Sequence, residues 1–221
     1  MSTLKQLLGV RQSTCNDICL VEAGVGHAKS YIQNRQRNYL HKLMNREDFN
    51  ESYLGHIINL AIEVKCSSGK VLANLKNHGP QYDYKGISLE EAKNSIRSSS
   101  TTRRSSYLAL NPDLSLNIVY DSAHMIPEFS RIALTRMRTS SHRLRIETGR
   151  LTRTPLNLRL CPCGEIQSEE HVLLHCPLSQ ELRSNFPTTQ NCRSIADLLN
   201  KGYPDIINAS QLCAKVLSLY A

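Results

Sequence analysis

The chain has 221 residues, 40% of them hydrophobic and only 5% aromatic, with no Trp. This length allows one large or two small domains with a buried core, and the composition predicts an aliphatic, mainly helical core. The net charge of +8 points to a polyanionic partner such as nucleic acid. No signal peptide and no apolar run near ~20 residues is recognisable, so we expect no membrane partner.

The N-terminal residues 1–66 contain three candidate helices after a short amphipathic turn. The first lies between an N-cap residue, Asn16, and a C-cap glycine, Gly24. The second has a stripe at helical spacing made of Ala28, Tyr31, Ile32, Arg35, Tyr39, Leu40 and Leu43. The third begins at a predicted cap, Asn50, and carries Leu54, Ile57, Ile58, Ala61 and Ile62.

Residues 67–110 show a weaker pattern and are predicted to be a loose connecting segment. Glycines and a proline interrupt the first half, and we place the loosest joint there. A capping box, Ser88 to Glu91, then opens a helix. That helix runs into the Ser/Thr-rich sequence IRSSSTTRRSS, which breaks the helical pattern.

Residues 111–160 form a basic segment. Asn111–Pro112 is a turn signal, and Pro127 suits the first turn of a helix. Between residues 131 and 160 Glu147 is the only acidic residue, against eight arginines: Arg131, Arg136, Arg138, Arg143, Arg145, Arg150, Arg153 and Arg159. Because guanidinium groups stay charged and match phosphate geometry, we predict that Arg136, Arg138, Arg143, Arg145 and Arg150 contact nucleic acid. The alternative is that several of these arginines pair with Glu residues elsewhere.

The sequence CPCGEIQSEEHVLLHCP, residues 161–177, is a candidate zinc module. Cys161 and Cys163 lie in a turn closed by Gly164, and a helix follows with two histidines and a cysteine. Zinc takes four thiolate or imidazole ligands in a tetrahedron, often from a tight turn and a helix. The first pair is closer than in the usual zinc motif. We expect Ser168 to cap the helix, and we expect zinc as the cofactor.

The fourth zinc ligand is open between two residues. His171 and His175 are four apart and share one helix face, so both histidines can ligate together. Cys176 lies about 140° from His171 on an ideal helix and can ligate only if the helix ends there. Pro177 favours that ending because a residue before proline avoids helical geometry. We therefore favour Cys161, Cys163, His171 and Cys176, with His175 as the alternative.

The remaining cysteines have no framework pattern and lie among apolar neighbours: Cys15, Cys19, Cys66, Cys192 and Cys213. They are expected to be reduced and to behave as buried hydrophobic residues. We therefore expect an intracellular protein, nuclear or cytoplasmic. After the zinc module, residues 161–184, C-terminal helices are predicted in residues 185–221, one of them capped by Ser194.

Several segments together resemble the region after the polymerase domain in non-LTR retrotransposon reverse transcriptases. In order they are LLGVRQST, NDICLVEAG, RIALTRMRTSSHRLRIETGR, RLCPCG and EEHVLLHCP. In that family a Cys/His module follows a helical thumb-like region and handles template RNA or target DNA. The resemblance implies that Cys161, Cys163, His171 and Cys176 are metal ligands. It also implies that Arg136, Arg138, His142 and Arg150 form the basic approach to them.

The resemblance does not extend to the catalytic parts of such proteins. No Asp-Asp pair, which would hold the catalytic magnesium of a polymerase palm, occurs in the chain. No endonuclease or ribonuclease H segment is recognisable either. We therefore expect no enzyme activity and no catalytic residues, and interpret the chain as an orphan C-terminal piece of an element. We expect a zinc-stabilised module that binds RNA or DNA; the alternative is a protein–protein interaction module with a purely structural zinc site.

The predicted fold is mainly α. It consists of a helical, thumb-like region at 1–66, the connecting segment 67–110, the basic helical segment 111–160, the zinc module 161–184 and C-terminal helices at 185–221. A hydrolase has little support, because four protein ligands close the zinc shell while a catalytic zinc keeps one position open.

Overall fold

The computed structural model describes residues 1–26, 28–65, 67–78, 89–121, 126–187 and 191–220. These residues are mainly helical and include no β-strand, which confirms the mainly α prediction. The chain divides into two compact units. The larger unit is Met1–Val25 together with Leu89–Ala221, and the smaller unit is Gly26–Ser88.

The α-helices are numbered in chain order over the described residues. They are α1 (Ser2–Leu7), α2 (Asn16–Glu22), α3 (Ala28–Met44), α4 (Tyr53–Glu63), α5 (Ser67–His78), α6 (Leu89–Arg97), α7 (Thr102–Leu110), α8 (Ile118–Asp121), α9 (Glu128–Arg138), α10 (Arg145–Leu151), α11 (Gln180–Ser184), α12 (Ile195–Leu199) and α13 (Asp205–Leu219). Short 3-10 helices lie at Phe49–Glu51, Leu156–Leu158 and Pro177–Ser179, and a π-helix at His171–His175.

The main core of the larger unit lies between α9 and α13, which make extensive contact. Leu134 and Met137 of α9 and Leu212 and Val216 of α13 are fully buried in one apolar cluster. Burying a Leu, Val or Met side chain contributes about 1.5–3 kcal/mol relative to leaving it exposed. The periodic spacing of these residues therefore explains why both segments are helices that face each other.

A second apolar cluster joins α2 to α6 and α7. Ile18 of α2 packs with Ala92 and Ile96 of α6 and with Tyr107 of α7. Gly24, with φ of +64°, follows the end of α2 as predicted for a C-cap glycine. Asn16 is the first helical residue of α2, so the predicted cap lies one residue too late in the sequence.

A buried ion pair lies where these elements meet. The Arg138 Nε donates to Glu22 Oε1 at 2.7 Å, and its Nη2 donates to Glu22 Oε2 at 3.2 Å. The hydroxyls of Tyr107 and Tyr120 donate to the same carboxylate at 2.7 and 3.3 Å. A buried charge is costly unless it is paired and hydrogen-bonded, and this network meets both conditions.

The smaller unit contains α3, α4 and α5. Gly69 of α5 lies so close to α4 that a Cβ there would be 1.8 Å from the Ala61 carbonyl oxygen. The α4 cap is Ser52, whose Oγ accepts a hydrogen bond from the Gly55 amide at 3.0 Å. The prediction that Asn50 caps this helix is therefore wrong, because Asn50 lies inside the preceding 3-10 helix. Side chains of Ala28 and Tyr31 lie outside the described residues.

The segment predicted to be a loose connection, 67–110, contains three helices, α5, α6 and α7. Sequence periodicity is weak there, but Ile96 and Tyr107 are buried and hold α6 and α7 against α2. The helix α7 begins at Thr102, inside the Ser/Thr-rich run, since tertiary burial overrides weak local propensity. The predicted cap Ser88 lies outside the described residues. The five-part domain division stays a prediction.

Candidate metal centre and arginine surface

The first part of the candidate metal centre is a tight hairpin. Leu160 and Ile166 form an antiparallel bridge, and the Cys161 amide donates to the Glu165 carbonyl at 2.7 Å. Gly164 has a φ of +100°, which a residue with a side chain rarely adopts. The hairpin therefore turns tightly enough to place Cys161 and Cys163 on the same side.

The second part is the short helical segment that follows. The Ser168 hydroxyl accepts a hydrogen bond from the His171 amide at 3.1 Å, so the predicted cap is confirmed. The segment widens into a π-turn, in which the Cys176 amide donates to the His171 carbonyl at 2.7 Å. Cys176 is extended, with φ of −61° and ψ of 127°, so the helix ends before Pro177 as predicted. Because of the wide turn, Cys176 returns to the side of His171.

Four potential ligand atoms come together at this place. The Sγ of Cys161, Cys163 and Cys176 and one ring nitrogen of His171 all lie within 4.8 Å of one another. Cys176 Sγ is 3.6 Å from Cys161 Sγ and 3.7 Å from Cys163 Sγ, while Cys163 Sγ is 3.2 Å from His171 Nε2. Sulfur atoms bound at about 2.3 Å to a tetrahedral ion are ~3.8 Å apart. This cluster of four side chains could therefore hold one metal ion.

His175, the alternative ligand, is exposed and is not a member of the cluster. It is the last residue of the π-helix, while Val172 and Leu173 of the same turn are fully buried. The buried apolar pair fixes the rotation of the segment about its axis. That rotation directs His171 toward the two cysteines of the hairpin.

Tyr220, at the end of α13, contacts the thiols from the core side. Its hydroxyl is 3.0 Å from Cys176 Sγ and 3.8 Å from Cys161 Sγ. Burial opposes ionisation of Cys176, but the Tyr220 hydroxyl and the neighbouring thiols lower the Cys176 pKa below its ordinary value. Burial lowers the pKa of His171, which favours the neutral imidazole that binds metals.

The structure separates the predicted nucleic-acid-binding residues into buried and exposed ones. Arg138 is 1% exposed and pairs with Glu22. His142 is 2% exposed, and its Nε2 lies 2.8 Å from Glu169 Oε1. In this arrangement the guanidinium group of Arg138 has no surface on which to meet a phosphate, and the imidazole of His142 is engaged by Glu169. Arg138 thus agrees with the alternative prediction, in which some of these arginines pair with Glu residues elsewhere in the chain.

Arg136, Arg143 and Arg145 are exposed, and Arg150 is partly exposed. Arg150 Nη1 lies 2.6 Å from Glu147 Oε1, and Glu147 is fully buried. Two further arginines approach the same carboxylate, Arg103 at 3.4 Å and Arg11 at 4.0 Å. A single buried carboxylate thus faces three guanidinium groups, which leaves this part of the larger unit with an excess of positive charge.

Sequence reasoning missed Arg11, Arg103 and Tyr220. Arg11 and Arg103 are distant from the basic segment in sequence, and only the fold brings their guanidinium groups to Glu147. Tyr220 has no local motif, since its role depends on where α13 ends. Of the scattered cysteines, Cys19 and Cys213 are fully buried as predicted, Cys15 and Cys192 are partly exposed, and Cys66 lies outside the described residues.

No protein-family model, curated protein or solved structure matches the chain. None of the helices in the described residues is long and apolar enough to cross a membrane. The four-residue cluster and the exposed arginines are therefore the observations from which a function is argued.

Proposed function

We propose that the chain is a non-catalytic nucleic-acid-binding module that zinc stabilises. The observation that carries the proposal is a Cys/His cluster in the same compact unit as an arginine surface, which consists of the exposed Arg136, Arg143 and Arg145 and the partly exposed Arg150. A metal ion bound by the cluster would tie the hairpin that carries Cys161 and Cys163 to the helical segment that follows it. The arginine surface contributes part of the positive net charge of the chain.

Zinc is the metal that this donor set favours. Three sulfurs and one imidazole nitrogen in a tetrahedral arrangement are typical of structural zinc sites, and soft thiolate ligands select against magnesium and calcium. Cys161, Cys163, His171 and Cys176 would hold the ion. Four protein ligands leave no open position for a substrate, so the role that fits the site is structural.

Nucleic acid is the partner that the arginines favour. Arg143 and Arg145 are exposed and make no side-chain ion pair with any residue that the structure describes. Guanidinium groups bind phosphate oxygens with two parallel hydrogen bonds and stay charged at all physiological pH values. Contacts of this kind give binding that depends on charge and not on sequence.

The segment order described above supports a relation to the region after the polymerase domain in non-LTR retrotransposon reverse transcriptases. The sequence has no Asp-Asp pair for two-metal phosphoryl transfer. The proposed module therefore binds RNA or DNA without extending it.

The proposal is tested by the salt dependence of binding. The parent protein should bind RNA or DNA with an affinity that falls steeply with salt, because each phosphate contact adds about 0.7–0.9 to the log–log slope. Replacing Arg143 and Arg145 with Ala should flatten the slope by roughly one to two units. Fluorescence anisotropy with labelled oligonucleotides at several salt concentrations measures this change.

The matched control replaces Arg97 and Arg193 with Ala. Both are exposed residues of the larger unit outside the arginine surface, and the double variant loses the same net charge. The control should keep the parent slope. Equal slopes in both double variants, or preference for an acidic polypeptide over RNA and DNA, would instead support the protein-interaction module.

A further inference from the structure

Three arginines line one cavity in the larger unit. It has a volume of about 440 Å³ and is lined by Gly9, Val10, Arg11, Arg136, Ser141, His142, Arg143 and Leu217. Ligand pockets in proteins occupy roughly 300–1,000 Å³. The cavity therefore has the size of a binding site, and three separate positions along the chain supply its positive charge.

Hydrogen bonds hold two of these arginines in place. Arg136 Nε donates to the Gly9 carbonyl at 2.6 Å, and Arg11 Nη2 donates to the Ser140 carbonyl at 3.2 Å. Each bond uses one of the five N–H donors of a guanidinium group. These two hydrogen bonds orient both side chains in the absence of a ligand.

The backbone around the cavity is equally constrained. The Arg11 amide donates to the Ser141 hydroxyl at 2.7 Å, which joins the N-terminal turn to the loop between α9 and α10. Gly9 has a φ of +66°, and a Cβ there would lie 2.6 Å from a side-chain carbon of Ile132. Ser140 also adopts a positive φ, +49°, which costs energy for a residue with a side chain. Backbone strain of this kind is found where a site is built into a fold.

The charges around the cavity are not balanced. Burial lowers the pKa of Arg11; the charge of Glu147 raises it, and those of Arg103, Arg143 and Arg136 lower it further. Glu147 is shared with Arg103 and Arg150, and Glu169 is bonded to His142 on the cavity wall. The Arg11 Nε is buried without a hydrogen-bond partner, and Arg143 makes no ion pair with any described residue.

We propose that this cavity is a phosphate-binding site in which Arg11, Arg136 and Arg143 surround one phosphate group. Three converging guanidinium groups with free donors suit a tetrahedral anion, which accepts several hydrogen bonds at once. The inference rests on the proposed function for the source of the phosphate, a backbone or terminal phosphate of nucleic acid. A free phosphate compound offers the same chemistry, and the experiment separates the two.

The test measures inorganic phosphate binding by isothermal titration calorimetry and the displacement of labelled single-stranded RNA by phosphate at constant ionic strength. Phosphate should bind and should displace RNA better than chloride does. Arg143→Gln should weaken phosphate binding by roughly tenfold, because it removes a charged hydrogen bond. Arg136→Gln should do the same, and Arg193→Gln, at an exposed site elsewhere, should leave it unchanged.

Replacing Arg143 should not affect folding, because its side chain is exposed and makes no ion pair with the described residues. RNA binding that phosphate and chloride weaken equally would overturn the phosphate site while the nucleic-acid function stands. Phosphate binding that depends on Arg143, in a protein that binds neither RNA nor DNA, would support the site and reject the proposed function. If Arg143→Gln and Arg193→Gln changed phosphate affinity equally, the phosphate site would also be overturned.

Discussion

Arg138 and Arg143 lie five residues apart in the sequence, yet the structure gives them opposite surroundings. Arg138 is the inward-facing last residue of α9, and Glu22 and the Leu199 carbonyl satisfy its donors. Burial lowers the pKa of Arg138, but the charge of Glu22, the hydrogen bonds to Glu22 and the neighbouring tyrosines together outweigh burial, so the pKa is raised. Arg143 lies beyond the helix and is exposed. Sequence composition treats the two residues alike because it carries no information on which side of a helix faces the core.

Replacing Arg138 with Met should destabilise the protein by roughly 3–5 kcal/mol, because it leaves the Glu22 carboxylate buried without its cation. Chemical denaturation of the larger unit measures this loss. Arg143→Met is the matched control, and its free energy of unfolding should stay within about 0.5 kcal/mol of the parent. If both substitutions changed stability by the same small amount, Glu22 and Arg138 would not be paired in solution.

At the scale of elements, the positions where helices end were predicted better than which segments are loops. Pro177 correctly predicted where the helix of the candidate metal centre ends, and Ser194 is the predicted cap of α12, where it forms a capping box with Asp197. Both signals are local, since they depend on the geometry of one or two residues. The π-turn at His171–His175 was not predictable, because the buried side chains of Val172 and Leu173 determine it through tertiary packing.

The same reasoning explains the segment 67–110. Gly69 weakens the helical pattern, although in the structure its missing side chain is what lets α5 approach α4. A glycine inside a helix is read from sequence as a break, whereas close packing of two helices gives it a structural reason. Of the candidate site, the four clustered side chains that could hold a metal ion were predictable from their spacing and from Pro177. Arg11 and Tyr220 could not, because they reach the site only through the fold.

The end of the short helix also gives a testable prediction about the metal ligands. Cys176→Ser should lose bound zinc, since the Cys176 thiol lies within 3.7 Å of both hairpin sulfurs. His175→Ala should retain it, because His175 is exposed and outside the cluster. Elemental analysis of both purified variants measures the zinc content. Loss of zinc from the His175 variant alone would mean that the helix continues through Cys176.

At the scale of the whole molecule, α13 connects the candidate metal centre with the main core. Its apolar face packs on α9, its last turn brings Tyr220 to the thiols, and its Leu217 lines the arginine cavity. Val172 and Leu173 of the metal-binding segment lie in the same apolar cluster as α9 and α13. The candidate metal centre is therefore continuous with the core of the larger unit.

This arrangement predicts how far the effect of metal removal extends. Structural zinc contributes roughly 10–16 kcal/mol of apparent binding free energy, as much as the whole stability of a typical domain. Removing zinc with a chelator should therefore reduce amide hydrogen-exchange protection in α9 and α13 as well as in residues 159–182. The helices α4 and α5 belong to the smaller unit and serve as the internal control, with unchanged protection.

Adding back zinc should restore the protection in α9 and α13, and magnesium should not, since thiolate ligands discriminate against it. The loss of protection should reach α9 and α13 for two reasons. Without the ion, the thiols should no longer hold the Tyr220 hydroxyl at the end of α13. The turn that places Leu173 in the apolar core should also be lost. A loss of protection confined to residues 159–182 would show that the ion stabilises the local turn alone. In that case α13 would owe its position to the apolar contacts with α9.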